Sequence, residues 1–144
     1  MNKLKANILL CEKYDENSNV ITNPFVAISS KNNLITFDIV LYLSVESEEE
    51  KEMVVGVMLL DEKNDRFFPI KLESITIKDK ARVLKLGKIS VSNLFIPMEG
   101  IYRLKVFQGE DLKEEEVDPE SVADFFRQAD EIGEYVLEYK NEMK

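Results

Sequence analysis

Apolar and polar residues alternate along most of the first 109 positions, which predicts β-strands rather than helices. The alternation is cleanest from Phe37 to Val45, where every second residue is apolar and would face a core. Residues Met53 to Leu60 are apolar on both faces, as expected of a central strand covered on both sides. Pro69 cannot donate a ladder hydrogen bond, so its strand is expected at a sheet edge or at a bulge.

Three other features mark bends and turns between these strands. A change of phase before Ile75 predicts a bulge near Glu73–Ser74, and Gly87 separates two phases within the segment from Arg82 to Ile96. Pro97–Gly100 is expected to form a turn, and Gln108–Gly109 a tight hairpin that returns through Asp111–Leu112. Further short strands bring the total to seven or eight over residues 1–117, which predicts an antiparallel β-sandwich; they are Ala6–Cys11, Phe25–Ser29 and Tyr102–Val106.

The apolar period changes from 2 to 3.6 after Val117, which predicts one amphipathic helix over residues 119–141 of an acidic C-terminal segment, 118–144. Asp118 suits the N-cap and Pro119 the first helical position. Gly133 lies within the apolar face, where it costs about 1 kcal/mol relative to Ala and would permit close approach of another backbone. The apolar residues that fall within an arc of about 140° are Val122, Phe125, Phe126, Ala129, Ile132, Val136, Tyr139 and Met143.

The negative charge is concentrated at the same end of the chain. The 144 residues carry a formal net charge of −9, with 28 acidic and 19 basic side chains. Residues 1–109 contain 15 of each sign, so the whole excess lies in residues 110–144, where 13 acidic side chains face four basic ones. This division separates a neutral β domain from an acidic segment.

Composition excludes most familiar catalytic chemistry. The absence of His removes Ser-His-Asp and Cys-His catalysis and the His-containing metal sites. Cys11 is the only cysteine, so neither an internal disulfide nor a Cys-rich metal site can form, and a cytoplasmic location is expected. The apolar run before Cys11 is too short for a signal sequence, and no window resembles a membrane span. With no phosphate-binding Gly loop or nucleophile motif, we predict that the protein is not an enzyme and needs no cofactor.

Charged clusters along the β segment favour solvated loops over sites. Asp61, Glu62 and Asp65 share one loop, but Arg66 and Leu72 stand where a helical calcium loop needs Gly and Glu, so a polar turn is expected. The acidic cluster from Glu46 to Glu52 is interpreted as a solvated connection, with recognition of a basic partner as the alternative. A basic stretch contains no base-stacking aromatic residue, so we expect no direct nucleic-acid binding; its members are Lys78, Lys80, Arg82, Lys85 and Lys88.

Three segments resemble a group of small bacterial and phage proteins, a domain of unknown function with an immunoglobulin-like β-sandwich. Ala6–Glu12 resembles their opening strand, and Ile39–Leu43 followed by Val54–Asp61 resembles their paired central strands. Phe95–Val106 is similar to their late turn and strand. The resemblance covers about residues 5–112 and implies the fold alone, because it brings no activity with it, and the acidic C-terminal segment departs from it.

Two functions follow as hypotheses. The first is a protein-interaction module that binds another protein or itself, because Phe125, Phe126 and Tyr139 are anchor types that dominate interface energetics. The alternative is an acidic inhibitor, such as a phage could encode, that blocks a nucleic-acid-binding site on a host or defence protein. The carboxylates expected on the outward side of the helix are Asp124, Asp130, Glu131, Glu134 and Glu138. The helix is expected to pack on its own β domain, with docking on another chain as the second possibility.

Overall fold

The computed structural model describes residues 3–46, 51–61, 63, 65–77, 83–109 and 119–142, and this part of the chain is mainly β, with nine strands and one short helix. The four-stranded sheet has the spatial order β2 (Val20–Pro24), β1 (Lys3–Asp15), β4 (Leu34–Glu46), β7 (Val83–Phe95). The five-stranded sheet has the order β3 (Ala27–Ser30), β9 (Asp130–Asn141), β8 (Gly100–Gly109), β5 (Lys51–Asp61), β6 (Arg66–Ile77). Helix α1 (Pro119–Gln128) lies between β8 and β9 in the chain. Each pair is antiparallel except β3 with β9, which is parallel.

The two sheets enclose one hydrophobic core, which contains the residues that the alternation predicted. In β4 the fully buried side chains are Phe37, Ile39, Leu41 and Leu43. The five-stranded sheet contributes alternate residues of β5, β8 and β9 to the same core: Met53, Val55, Val57, Leu59, Tyr102, Leu104, Val106, Leu137 and Tyr139. The period of two in the sequence therefore reports the inward face of β4 and β8 correctly.

Strand β5 is covered on both faces, as its continuous apolar sequence predicted. It lies between β8 and β6, and its inward residues, such as Val57, belong to the core between the sheets. Val54 and Met58 point to the other side and pack under α1 with Phe107. A strand without alternation is thus explained by a layer of protein on each side.

The irregularity in β6 is at Pro69 rather than at Glu73–Ser74. Strand β6 is an edge strand, and its register against β5 shifts between the pairs Val57–Lys71 and Met58–Pro69. The edge position is the one expected for a proline that cannot donate to the ladder. The bulge predicted near Glu73–Ser74 is wrong because Pro69 already changes the phase upstream of it.

The phase change at Gly87 is confirmed. Gly87 has φ of +86°, a conformation that L side chains rarely adopt, and the register of β4 against β7 shifts next to it, between Leu41 and Tyr42. The turn predicted at Pro97–Gly100 lies between β7 and β8, with Gly100 as the first residue of β8.

The prediction of one helix over residues 119–141 is wrong beyond Gln128. Residues Asp130–Asn141 form β9, which pairs with β8 along its length and with β3 at its end. Tyr135, Leu137 and Tyr139 face the core, while Val136, which the helical pattern counted as apolar, is exposed. The apolar residues of this segment fit both the helical period of 3.6 and the strand period of 2. Pairing with the edge of β8 favours the strand over the helix.

The number of strands is also higher than the seven or eight predicted. Besides β9, the sequence pattern missed β2, whose five residues are all exposed. A strand with no buried face has no alternation to detect. Several predicted features lie outside the described residues: the Asp118 N-cap, the hairpin return through Asp111–Leu112, and the charged residues Glu48–Glu50, Glu62 and Lys78–Arg82. Across the described ranges, no helix has the length and apolar character to span a membrane.

Gly133 brings β9 against β1 where the two sheets meet. A Cβ atom added at Gly133 would lie 2.7 Å from the Cβ of Ala6 and 3.0 Å from its carbonyl oxygen. The close backbone approach expected for this glycine is therefore present, although in a strand rather than in a helix.

We expect Gly133→Ala to lower the free energy of unfolding by about 1–3 kcal/mol, because the methyl group overpacks a contact that includes backbone. Urea unfolding followed by circular dichroism measures the loss. Adding Ala6→Gly removes the closest contact and should recover part of the stability. If Gly133→Ala alone unfolds at the wild-type urea concentration, β9 does not approach β1 this closely.

Candidate interaction surface

Phe125 and Phe126 are buried between α1 and the outer face of the five-stranded sheet. The Phe126 ring packs edge to face on Phe107, with centroids 5.5 Å apart, and on Phe125 at 5.3 Å. Gly56 and Gly109 leave room for these rings, because a Cβ atom at either glycine would lie 2.6 Å from the Phe125 ring. Both phenylalanines therefore fasten α1 to its own sheet.

Tyr139 is buried on the inward side of β9, with 1% of its surface exposed. Its hydroxyl shares a hydrogen bond with the Ser30 hydroxyl at 2.7 Å and donates to Asn33 Oδ1 at 3.1 Å. These contacts join the end of β9 to the chain around β3. The three aromatic residues considered as interface anchors thus all lie inside the protein.

The five candidate carboxylates separate into two groups. Asp124 and Asp130 are exposed on and just after α1, and Asp124 pairs with Arg127 at 3.0 Å. Glu131, Glu134 and Glu138 lie on the outward side of β9, opposite to its core-facing residues. The second group therefore forms part of a sheet surface rather than of a helix.

Strand β9 pairs with β8, and α1 covers one end of their outward side. We call the part of that outward side that α1 leaves uncovered the β8–β9 face. Its register is fixed by the cross-strand pairs Ile101–Glu138, Arg103–Val136 and Lys105–Glu134. Phe107, the next outward residue of β8, already lies under α1. The face consists of Ile101, Arg103, Lys105, Glu131, Glu134, Val136 and Glu138.

Ion pairs neutralise the carboxylates of the β8–β9 face. The Lys105 ammonium is 2.8 Å from Glu131 and 3.8 Å from Glu134, and Arg103 also pairs with Glu134. Glu138 pairs with Lys140 at 3.2 Å. An isolated surface ion pair contributes about 0–1 kcal/mol to stability. Shared partners join four of these charged residues in one network: Arg103, Lys105, Glu131 and Glu134.

Two aliphatic side chains extend the face away from α1. Ile101 is 49% exposed and Val136 is 44% exposed. Ile101 lies six residues along β8 from Phe107, a distance of about 20 Å at the rise of a strand. The β8–β9 face therefore has a charge network near α1 and two exposed aliphatic side chains farther away, where Glu138 lies opposite Ile101.

Sequence reasoning did not find this surface. It placed Arg103 and Lys105 only within the strand Tyr102–Val106, and it assigned Val136 to the apolar side of a helix. The available signal was the second period in the C-terminal segment, in which Tyr135, Leu137 and Tyr139 alternate with charged or aliphatic residues. Recognising that period would have placed Glu134, Val136 and Glu138 on one outward row.

Two reactive side chains in the described part of the chain, Cys11 and Asp61, are buried. Cys11 is fully buried, and burial, together with the nearby charge of Asp38, raises the pKa of its thiol, which disfavours the nucleophilic thiolate. Asp61 is buried, and its Oδ2 lies 3.9 Å from a guanidinium nitrogen of Arg66. Among the residues that the structure describes, no group of three His, Cys, Asp or Glu side chains could hold a metal ion.

Comparison with known proteins shows similarity of fold alone. No protein-family model and no curated protein matches the chain. The structure of β-glucosidase from Listeria innocua in complex with isofagomine is 10% identical with a TM-score of 0.50, over 96% of this chain and 16% of that one. Pseudomonas fluorescens alkylpurine DNA glycosylase AlkC, bound to DNA containing an abasic site analogue, is 9% identical in sequence with a TM-score of 0.51. The match covers 95% of this chain and 30% of the glycosylase chain. The chain therefore spans only a minor part of the solved proteins that it resembles.

Proposed function

We propose that this protein is a non-enzymatic interaction module that binds another protein, or a second copy of itself, through the β8–β9 face. The observation that carries the proposal is the exposure of Ile101 and Val136 beside a charge network that is already assembled. The aromatic residues first considered as anchors are used internally, so they leave the binding role to this part of the sheet.

The paired charges make the β8–β9 face suitable for burial. Removing an isolated charge from water is costly, whereas a carboxylate that keeps its basic partner loses much less. Lys105 contacts both Glu131 and Glu134, so a partner would cover compensated charges. Covering Ile101 and Val136 adds the favourable burial of apolar surface, about 25 cal/mol per Å². Together these properties favour a protein surface as the ligand.

We also propose that the fold belongs to the immunoglobulin-like sandwich class and that the chain is related to the small bacterial and phage proteins it resembles. Two sheets around one core support this class. The nine described strands and the parallel pairing of β3 with β9 are departures from the arrangement first expected. A cytoplasmic location remains part of the proposal and rests on the single cysteine.

An acidic inhibitor of a nucleic-acid-binding protein is the second candidate. Glu120, Asp124 and Asp130 are exposed on or beside α1, within the segment that carries the whole net charge of −9. Mimicry of a phosphate backbone needs carboxylates available to a basic target. Glu131, Glu134 and Glu138 each lie within ion-pair distance of a basic side chain of this chain, which favours the interaction module.

The proposal is tested by affinity capture from a bacterial lysate with variants of the face. Ile101→Asp combined with Val136→Asp should reduce the retention of a captured protein about tenfold, equivalent to about 1.4 kcal/mol. Val20→Asp with Ile21→Asp is the matched control, because these aliphatic residues are exposed on β2. Equal capture by both double variants would contradict a role for the β8–β9 face.

Salt separates the two candidate functions. Capture by an apolar and charge-compensated face should change little between low and high salt. Binding of unpaired carboxylates to a basic target should weaken steeply as salt screens the charges. A steep loss of capture with salt that does not depend on Ile101 and Val136 would favour the inhibitor.

A further inference from the structure

We infer that the β8–β9 face binds the same face of a second copy, about a two-fold axis that runs between β8 and β9, parallel to the strands. The inference rests on the proposed function and names the partner for the same surface. It follows from the pattern of charge on two adjacent strands.

The two strands of the face carry opposite charges. The ionic residues that β8 contributes, Arg103 and Lys105, are both basic. The ionic residues of the outward row of β9 that lie level with β8, Glu131, Glu134 and Glu138, are all acidic. The basic Lys140 follows beyond the paired part of β8 and binds Glu138. Neighbouring strands lie about 4.8 Å apart, so the face presents one basic and one acidic row side by side.

A two-fold axis along the strands makes this pattern complementary to itself. Rotation by 180° about a line between β8 and β9, in the plane of contact, places β8 of one copy over β9 of the other. Each basic row then faces an acidic row, and the contact occurs twice, as in any isologous interface. The rotation preserves position along the strands, so the register places Lys105 of each copy level with Glu134 of the other.

The same rotation covers the exposed aliphatic residues. Arg103 and Val136 are cross-strand partners, so Arg103 of one copy lies level with Val136 of the other. The methylene groups of an arginine pack well on an aliphatic side chain while the guanidinium keeps its carboxylate. Ile101, 49% exposed, lies two residues farther along β8 at the edge of the contact.

A second copy satisfies these requirements without any further assumption about the partner. Another protein would have to present an acidic row beside a basic row at strand spacing. The face and its neighbour Lys140 together carry no net charge, because Arg103 and Lys105 balance Glu131 and Glu134 and Lys140 balances Glu138, although the chain as a whole carries −9. The overall charge therefore does not prevent contact at this position, since exposed charges beyond about 8 Å are largely screened at physiological salt.

Two charge-reversed variants test the geometry. Arg103→Glu with Lys105→Glu makes both rows acidic, and Glu131→Lys with Glu134→Lys makes both rows basic. Sedimentation equilibrium should show a concentration-dependent dimer for the wild type and at least tenfold weaker self-association for each variant. The equimolar mixture of the two variants should dimerise within about threefold of the wild type, because opposite rows face each other again.

Controls separate loss of binding from loss of folding. Like charges on adjacent strands destabilise a sheet, so circular dichroism and thermal unfolding of each variant precede sedimentation. Ile101→Ser keeps every charge of the face and should also weaken the dimer. Asp124→Lys with Arg127→Asp reverses an exposed ion pair on α1 and should leave the dimer unchanged.

The outcomes distinguish this inference from the proposed function. A wild type that stays monomeric up to about 1 mM, the concentration that corresponds to only about −4 kcal/mol, overturns the two-fold contact. If capture from a lysate still depends on Ile101 and Val136, the interaction module stands with a different partner. A dimer that persists unchanged in both charge-reversed variants also overturns the inference, because the contact then lies elsewhere.

Discussion

A chain that ends at Ala129 is expected not to fold. Strand β9 lies inside the five-stranded sheet, between β3 and β8, and its loss removes Leu137 and Tyr139 from the core. Truncating one buried Leu or aromatic side chain costs about 2–5 kcal/mol, and a whole domain has only about 5–15 kcal/mol of stability. Circular dichroism should show loss of native β signal, and heating should give no cooperative transition.

A chain that ends at Glu142 is the matched control, because it retains all of β9. It should melt at the temperature of the full chain. A cooperative melt of the chain ending at Ala129, near the wild-type temperature, would mean that the core between the sheets does not require β9. The deletion thus measures whether the C-terminal segment completes the sheet or is attached to its outside.

Within residues 1–109, the β strands that bury one or both faces were predictable. The alternation from Phe37 to Leu43 and the continuous apolar sequence from Met53 to Leu60 each report a local environment that the structure contains. The edge strand predicted from Pro69 and the phase change predicted at Gly87 are also present in the structure. Both were predictable because a missing N–H donor and tolerance of a positive φ angle are properties of single residues. Strand β2 was not predictable, because none of its side chains is buried.

The C-terminal helix was overpredicted because two periods coincide in one segment. Ile132, Val136 and Tyr139 fit helical spacing, while Tyr135, Leu137 and Tyr139 fit the spacing of a strand. Local pattern alone cannot choose between them. The choice depends on the edge of β8 and on the close contact of Gly133 with Ala6, a residue more than 120 positions earlier in the chain.

The candidate surface required the same long-range information. The carboxylates of Glu131 and Glu134 were named from the sequence, but their basic partners lie on β8, about 30 residues away. Without the register of β8 against β9, these carboxylates indicate an exposed acidic face. With it, they belong to a charge-compensated network, which changes the expected partner from a basic target to a mixed surface.

Phe126→Asp is expected to destabilise the folded chain strongly without creating or removing an interface. The side chain is buried among Phe125, Phe107 and Phe67, the last with a centroid distance of 5.9 Å. Loss of a buried ring costs about 3–5 kcal/mol, and an unpaired carboxylate in its place costs more. At about 2–4 °C per kcal/mol, the melting temperature should fall by at least 6–10 °C.

The pH dependence of Phe126→Asp identifies the buried carboxylate as the cause. Burial would raise the pKa of the new Asp above its unfolded value, so the folded state binds this proton more tightly than the unfolded state. The contribution to stability is then greatest below the unfolded pKa of about 3.9 and decreases as pH rises through the folded pKa. The difference in melting temperature from the wild type should therefore be smaller at pH 4 than at pH 7.

Two further variants make the test of α1 specific. Phe126→Leu keeps the site apolar and should show a much smaller loss with no such pH dependence. Gln128→Asp places a carboxylate at an exposed position of the same helix and should cost less than about 1 kcal/mol. Sedimentation on the same samples should give the same mass for every variant that remains folded, because Phe126 packs on its own sheet. A normal melting temperature for Phe126→Asp with a changed mass would instead place this ring between two copies.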